Sequence, residues 1–283
     1  MVEKADFQPD RETAWCPGCG NFPLRKALAS ALTGLEIEPS EVAMFSGIGQ
    51  AAKMPHYIRV NGFNGLHGRA LPPAIGFRLA NPELKIIVES GDGDTYGEGG
   101  NHILHNIRRN PDIAHFVHNN QIYGLTKGQA SPTTGEDIKT KVQPEGITAS
   151  PFNPIEFAVA MNASFVARGF VGSRDHLIDL MQKALQHSGY ALVDILQPCV
   201  TFNDVNTYQW YSERVYELGS DYDETDRDRA FVKAREWGDD IPIGVIYQQE
   251  KPTFRDNFSH LPEEMQVEPE APENLEHLLD EFK

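Results

Sequence analysis

Two groups of residues in this 283-residue chain have the types and the spacing to do chemistry. The first is "AWCPGCGN", where Cys16 and Cys19 stand at the separation that lets two thiolates grip one metal centre or close one redox disulfide. Cys199, in "LQPCVTFND", is the third and last cysteine. A tetrahedral thiolate site takes four ligands, so three cysteines leave one place for something else. A structural zinc site and a catalytic dithiol are the rival readings, although the spacing fits zinc only loosely. The second group is Gly91-Asp92-Gly93-Asp94 and Asn119-Asn120-Gln121-Ile122, with 25 residues between Gly93 and Asn119. Glycines let the backbone come close to a phosphate, and Asp92 and Asn120 offer hard oxygen ligands to Mg²⁺. Mg²⁺ takes few carboxylates and completes its shell with substrate phosphates, so a diphosphate is the natural remaining ligand. The plainer alternative is that "GDGD" is a turn and "NN" ends a strand.

The surrounding pattern must position these groups. "EVAMFSG", "KIIVES", "IAHFVHN", "SFVARGF" and "ALVDILQ" read as strands. Between or before them lie helical stretches in 21–33, "LPPAIGFRLANP", "GGNHILHNIRRN", "NPIEFAVAMN" and "RDHLIDLMQKALQHS". Helices between strands predict right-handed crossovers and an α/β fold, a mostly parallel sheet sandwiched by helices. Ligands of such sheets sit beyond the carboxyl ends of strands, where "GDGD" and "NNQIYG" both fall. The expected organisation is one α/β domain over 1–250, with the Cys-x-x-Cys segment at its N-terminal end, and an acidic, Pro-rich tail over 251–283. That tail holds nine Asp/Glu against three Lys/Arg and reads as a solvated segment or a strap over a partner.

The spacing of "GDG" and "NN" resembles the thiamine diphosphate motif. The resemblance implies the diphosphate-domain fold, with Gly91, Asp92, Gly93, Asp94 and Asn120 at the cofactor. It also implies Mg²⁺ held by the side chains of Asp92 and Asn120 and the carbonyl of Ile122. Enzymes using this cofactor need a second domain for the aminopyrimidine, and this sequence carries one diphosphate motif, so another chain is expected to supply it.

Taken in order, "WCPGCGN", "SGIG", "LHGRALP", "GDGD", "GGNH", "NNQIYGLTKGQASPT" and "QPCVTFND" resemble the β subunits of 2-oxoacid:ferredoxin oxidoreductases, over about the first 210 residues and nearest the 2-oxoglutarate branch. The resemblance implies an α-subunit partner, with the αβ pair often doubled. It implies reversible oxidative decarboxylation of 2-oxoglutarate with coenzyme A to succinyl-coenzyme A and CO₂, ferredoxin taking the electrons. One-electron steps call for a relay, and one [4Fe-4S] cluster on Cys16, Cys19 and Cys199 is the expected one. Here the chain departs from the family pattern "GIGC": Gln50 follows Gly49. A neutral oxygen, a water, a side chain such as His56 or a ligand from the α chain could fill the fourth place. A neutral ligand would raise the cluster's potential and ease loss of one iron. A non-redox thiamine diphosphate-dependent 2-oxo acid decarboxylase subunit is the alternative if the relay is gone. A diphosphate carrier or zinc-stabilised regulatory subunit without turnover is a third reading.

For the substrate, Lys53 is placed to hold a distal carboxylate, and Leu125 and Lys127 in "YGLTKG" to line the pocket. A lone lysine is equally well an ordinary surface residue. His67 and Arg69 in "LHGRA" are the candidate catalytic contacts to an anionic substrate or the diphosphate, with helix-entry packing as their alternative. His102 and His105 are discounted as metal ligands. "TYQWYSERVY" is either core or interface with the α chain.

Composition narrows the classes. With 40% hydrophobic residues the chain is globular, and a net charge of −16 without a Lys/Arg block argues against nucleic acid. No stretch nears the roughly 18 apolar residues of a spanning helix, and the N-terminus lacks an apolar signal core. A cytoplasmic, reducing setting with no membrane association is the expectation.

Overall fold

The computed structural model describes residues 2–9, 11–136, 138–258 and 261. Along the chain come α1 (Asn21–Gly34), β1 (Val42–Ser46), α2 (Met54–Tyr57), β2 (Asn61–Asn64), α3 (Leu71–Ala80), β3 (Lys85–Gly91), α4 (Gly100–Arg109) and β4 (Ile113–Asn119). They are followed by β5 (Ile122–Tyr123), β6 (Gln129–Ala130), α5 (Pro154–Ala160), β7 (Phe165–Phe170), α6 (Arg174–Gln186) and β8 (Tyr190–Leu196). The last described elements are α7 (Tyr208–Ser212), β9 (Val215–Glu217), α8 (Arg227–Arg235) and β10 (Ile241–Gln248).

One eight-stranded sheet has the order β2-β1-β3-β4-β8-β7-β10-β9, and β5 with β6 forms a separate hairpin. Every described pairing in the large sheet is parallel except β10 against β7. The central strands are buried along their length because helices cover both faces. Strand alternation divides β4 between two cores. Ala114 and Phe116 pack with α1 and α6, while Ile113 and Val117 pack with α3, α4, α5 and α8. The same alternation sends the last residues of β4 to opposite faces, which matters for the site.

The expected strands and helices up to residue 197 are present. Three features differ from the sequence reading. The chain does not leave β3 in a loop at "GDGD": a π-helical turn over Gly93–Glu98 runs into α4. "IPIGVIYQ" forms β10, buried over Ile241 to Tyr247; its internal proline masks the strand pattern, and a proline is tolerated where its missing N–H leaves no ladder bond unmade. The segment 251–258 lies against the domain, with Phe254 N donating to the Asn110 carbonyl at 3.0 Å and the Arg255 guanidinium to the Leu79 carbonyl at 2.7 Å. The rest of the acidic tail, apart from Leu261, lies outside the described residues. No helix among the described residues is long and apolar enough to cross a membrane.

Candidate active site

The carboxyl ends of β3 and β4 converge as the topology requires. Gly91 closes β3 opposite His118, and Asp92, 2% exposed, opens the turn behind it. Asp92 Oδ2 accepts from Ser131 Oγ at 2.5 Å and lies 2.6 Å from Thr133 Oγ1, which is also 2.9 Å from Asn119 Oδ1. Thr133 has one proton, so it serves one of these acceptors at a time. Asn119 Nδ2 donates in turn to Asp194, at 3.0 and 3.2 Å, and the Tyr96 hydroxyl donates to Asp194 at 2.7 Å. Burial pushes Asp92 up to about 6 in spite of its hydroxyl donors, and raises Asp194 as well, against the pull of Tyr96, Asn119 and Arg168. A buried carboxylate so disfavoured as an anion is suited to a divalent cation, whose charge offsets the desolvation.

Asn120 turns the chain: its Oδ1 accepts from Ile122 N at 3.0 Å, while Gln121 takes a left-handed φ of 58° and Thr134 Oγ1 donates to the Gln121 carbonyl at 2.6 Å. The β5–β6 hairpin that follows lays Tyr123 over Gly93, with its hydroxyl 3.2 Å from the Gly93 carbonyl and 3.1 Å from Glu98 Oε2.

Asp94 has a different task. Its Oδ1 accepts the N–H groups of Ile48 at 3.0 Å and Gly68 at 2.8 Å, tying the loops after β1 and before α3 to the π turn. Its Oδ2 is buried without a partner, and Gly47 leaves room for it, since a β-carbon there would come within 2.0 Å. His67 Nδ1 sits 3.0 Å from Asp94 Oδ1 and 3.3 Å from Glu98 Oε2, aligned for a hydrogen bond to neither. Arg69 does not join this group. It is exposed, and its guanidinium meets His102 Nε2 at 2.6 Å on α4. His105 meets Arg108, so neither histidine belongs to a group able to hold a metal among the described residues.

Lys53 ends the short helical turn 51–53, half-buried, with no ion pair among the described residues. Leu125 and Lys127 occupy the exposed tip of the β5–β6 hairpin. Ile48, Leu66 and Leu125 are 39%, 75% and 43% exposed on the three loops that build the site, an apolar rim suited to being covered.

Cys19 lies beside the end of β8, and Cys16 and Cys199 are near enough to act on its charge, although no three His, Cys, Asp or Glu side chains among the described residues are drawn together as ligands of a single metal ion. Burial pushes Cys19 up to about 11; the Asn21 N–H works against this, and Cys199 and Cys16 add to it. A thiol so buried as Cys19 becomes a thiolate only against positive charge, which is what a metal centre provides. Trp15, next to Cys16, donates from Nε1 to the Gln50 carbonyl at 2.9 Å, and Gln50 Oε1 is buried with no partner. A β-carbon on Gly124 would lie 3.8 Å from Gln50 Cγ, so Gln50 stands between the cysteine segment and the "NNQIYG" loop. His56 is exposed.

Residues 42–195 match the thiamine pyrophosphate enzyme C-terminal TPP binding domain, and residues 199–263 match the C-terminal family of the pyruvate ferredoxin oxidoreductase beta chains. A 2-oxoacid:ferredoxin oxidoreductase subunit beta of Saccharolobus solfataricus is 46% identical over 249 residues, spanning 83% of this chain and 82% of that protein. The chain is a 2-oxoacid:ferredoxin oxidoreductase β subunit. A 2-oxoglutarate synthase subunit KorB of Archaeoglobus fulgidus is 40% identical over 191 residues, 67% of this chain and 70% of that one. The fold superposes on a 2-oxoglutarate:ferredoxin oxidoreductase from Magnetococcus marinus, solved with 2-oxoglutarate, coenzyme A and succinyl-CoA bound, with TM-score 0.90 and 32% identity over 100% of this chain and 96% of that chain. A β subunit implies an α-subunit partner, in keeping with the single diphosphate motif.

Several members of this β-subunit site were not singled out from sequence. Ser131 and Thr133 lay unassigned within "QASPT", and Asp194 and Gln197 carry no motif signal because strand pairing alone brings them to the site. Tyr208 is similar: burial and nearby Cys19 push its phenol up to about 12.

Proposed function

We propose that this β subunit serves a 2-oxoglutarate:ferredoxin oxidoreductase, forming succinyl-coenzyme A and CO₂ and passing electrons singly to ferredoxin. The observation that carries the reading is the pairing of two sites at one end of the sheet, the Asp92 turn and the cysteine group, with Gln50 between them. Relatives named for 2-oxoglutarate favour that substrate over other 2-oxo acids.

In this reading Asp92 and Asn120 give side-chain oxygens and Ile122 its carbonyl to Mg²⁺, and Gly91, Gly93 and Asp94 border the diphosphate. Thiamine diphosphate would supply the electron sink for decarboxylation. Ser131 and Thr133 hold the Asp92 carboxylate in place, and Asp94 holds the loop that presents His67. Lys53 binds the distal carboxylate, with Leu125 and Lys127 on the same pocket wall. His67 contacts the anionic substrate, and Arg69 reaches it only by leaving His102. Cys16, Cys19 and Cys199 ligate one [4Fe-4S] cluster. The α chain covers the rim formed by Ile48, Leu66 and Leu125, and the enzyme works in the cytoplasm.

The test is iron and acid-labile sulfide content on anaerobic protein co-expressed with its α partner, together with 2-oxoglutarate-dependent reduction of ferredoxin. About four irons per αβ pair, with a reduced-cluster EPR signal, supports the reading. Bound thiamine diphosphate without iron would replace it with the non-redox decarboxylase, for which the glutamine at position 50 is the motivating residue.

A further inference from the structure

Cys19 has a buried polar neighbour at the end of β8. Gln197 follows the last residue of β8, and its N–H donates to the Asn119 carbonyl at 3.0 Å, which extends the β4–β8 ladder by one residue. Its side chain therefore starts from a rigid point. Gln197 is 1% exposed, and its Nε2 lies 3.7 Å from Cys19 Sγ. No other side chain donates to a cysteine sulfur among the described residues. Its Oε1 is buried without a partner, so the amide is not oriented to satisfy itself. Gly20 leaves the space: a β-carbon there would stand 2.3 Å from Gln197 Cγ and displace the amide.

We propose that Gln197 is a positioning residue that sets the reduction potential of the centre held by the three cysteines, through its amide N–H to Cys19 Sγ. The inference rests on the iron-sulfur reading above. A donor aimed at a ligating sulfur stabilises the more negative, reduced state and so raises the potential. Burial strengthens the effect, because little water competes for the sulfur. The Asn21 N–H acts on the same sulfur, which makes Cys19 the ligand with two donors. Gln197 also joins the two halves of the site. The Asn119 whose carbonyl it caps is the residue whose side chain reaches Asp194 and Thr133, and Thr133 reaches Asp92.

The experiment is an EPR-monitored redox titration of the αβ holoenzyme, comparing the parent with Gln197→Met, which keeps an unbranched chain of similar length and loses the donor. The expected result is a lower midpoint potential at unchanged iron content, with Gln197→His, which retains an N–H donor, moving back toward the parent. A potential equal to the parent's in Gln197→Met at full iron overturns the inference. If that variant loses iron, Gln197→Leu carries the same comparison, and a parent-like potential there overturns it equally. A parent holoenzyme without iron would instead sink the cluster reading, and this inference with it.

Discussion

Tyr123 fills the space that a side chain on Gly93 would need: a β-carbon on Gly93 would fall 2.2 Å from the ring's Cε1. The aromatic ring is held from its far end by the Gly93 carbonyl and Glu98, so it has little freedom to yield. Gly93→Ala should therefore push the β5–β6 hairpin, and Ile122 with it, away from the Asp92 turn. Overpacking of this kind costs about 1–3 kcal/mol, and the loss should show in thiamine diphosphate and Mg²⁺ retention, by roughly tenfold or more in affinity. Equilibrium dialysis of the αβ pair checks it, and parent-like retention would show that the hairpin gives way at no cost.

Asp92→Asn should retain the fold and lose the cofactor. The amide keeps the shape and one oxygen, but brings two N–H donors to a place where Ser131 and Thr133 already donate, and it removes the charge. Metal-dependent retention should fall by at least about a hundredfold, since a charged ligand to Mg²⁺ is lost. Far-UV circular dichroism should be unchanged; undiminished retention would remove Asp92 from the metal site.

Lys53 has no ionic partner among the described residues, so replacing it leaves no buried charge behind. Lys53→Ile should cost about 1.5–3 kcal/mol of binding for a substrate with a distal carboxylate, roughly ten- to a hundredfold in kcat/KM. Pyruvate, which has no such group, should be spared. Equal losses on 2-oxoglutarate and pyruvate would rule out the specificity role.

His115 gives a stability prediction independent of the cofactor. It is buried between Ser90 Oγ at 2.7 Å and the Tyr190 hydroxyl at 2.6 Å, and burial, with a smaller push from His118, lowers it to about 3 from 6.5. The unfolded chain takes up the proton first. The stability His115 contributes is complete above about 6.5 and is lost as pH falls toward 3, at up to about 1.4 kcal/mol per pH unit. Carboxylates raised by burial, Glu89 and Asp194 among them, act with the opposite sign, so the parent alone does not isolate the effect. His115→Gln should be less stable at pH 7 and lose less between pH 7 and 5, read as urea midpoints; parallel acid limbs for the two proteins would refute this.

Much of the candidate site was legible as residue types at fixed spacing. Cys16 and Cys19, "GDGD" and "NNQIYG" each announce themselves within a few residues, and the strands before them are unbroken apolar runs that need both faces covered. Arg69 shows the limit of that reading. Its nearness to His67 in sequence suggested a shared task, yet His67 turns to Asp94 while Arg69 turns out to His102, because the loop before α3 reverses direction at Gly68, where φ is 69°. The helical turn at Gly93–Glu98 was equally hidden, since glycine-rich sequence says little about which conformation packing will select.

The sequence by itself determined the α/β class and the strand that ends at each motif, which follow from hydrophobic period, while its resemblance to thiamine diphosphate enzymes implied the ligand types and a second chain. Only the tertiary structure decided how the motifs meet. Strand alternation sends His118 to Asn21, behind the cysteines, and Asn119 to Asp194 and Thr133, behind Asp92. Parallel pairing of β4 with β8 then places Gln197 against Cys19, 178 residues away in the chain. Such contacts depend on register between distant strands, which packing of the whole sheet fixes and no local pattern encodes.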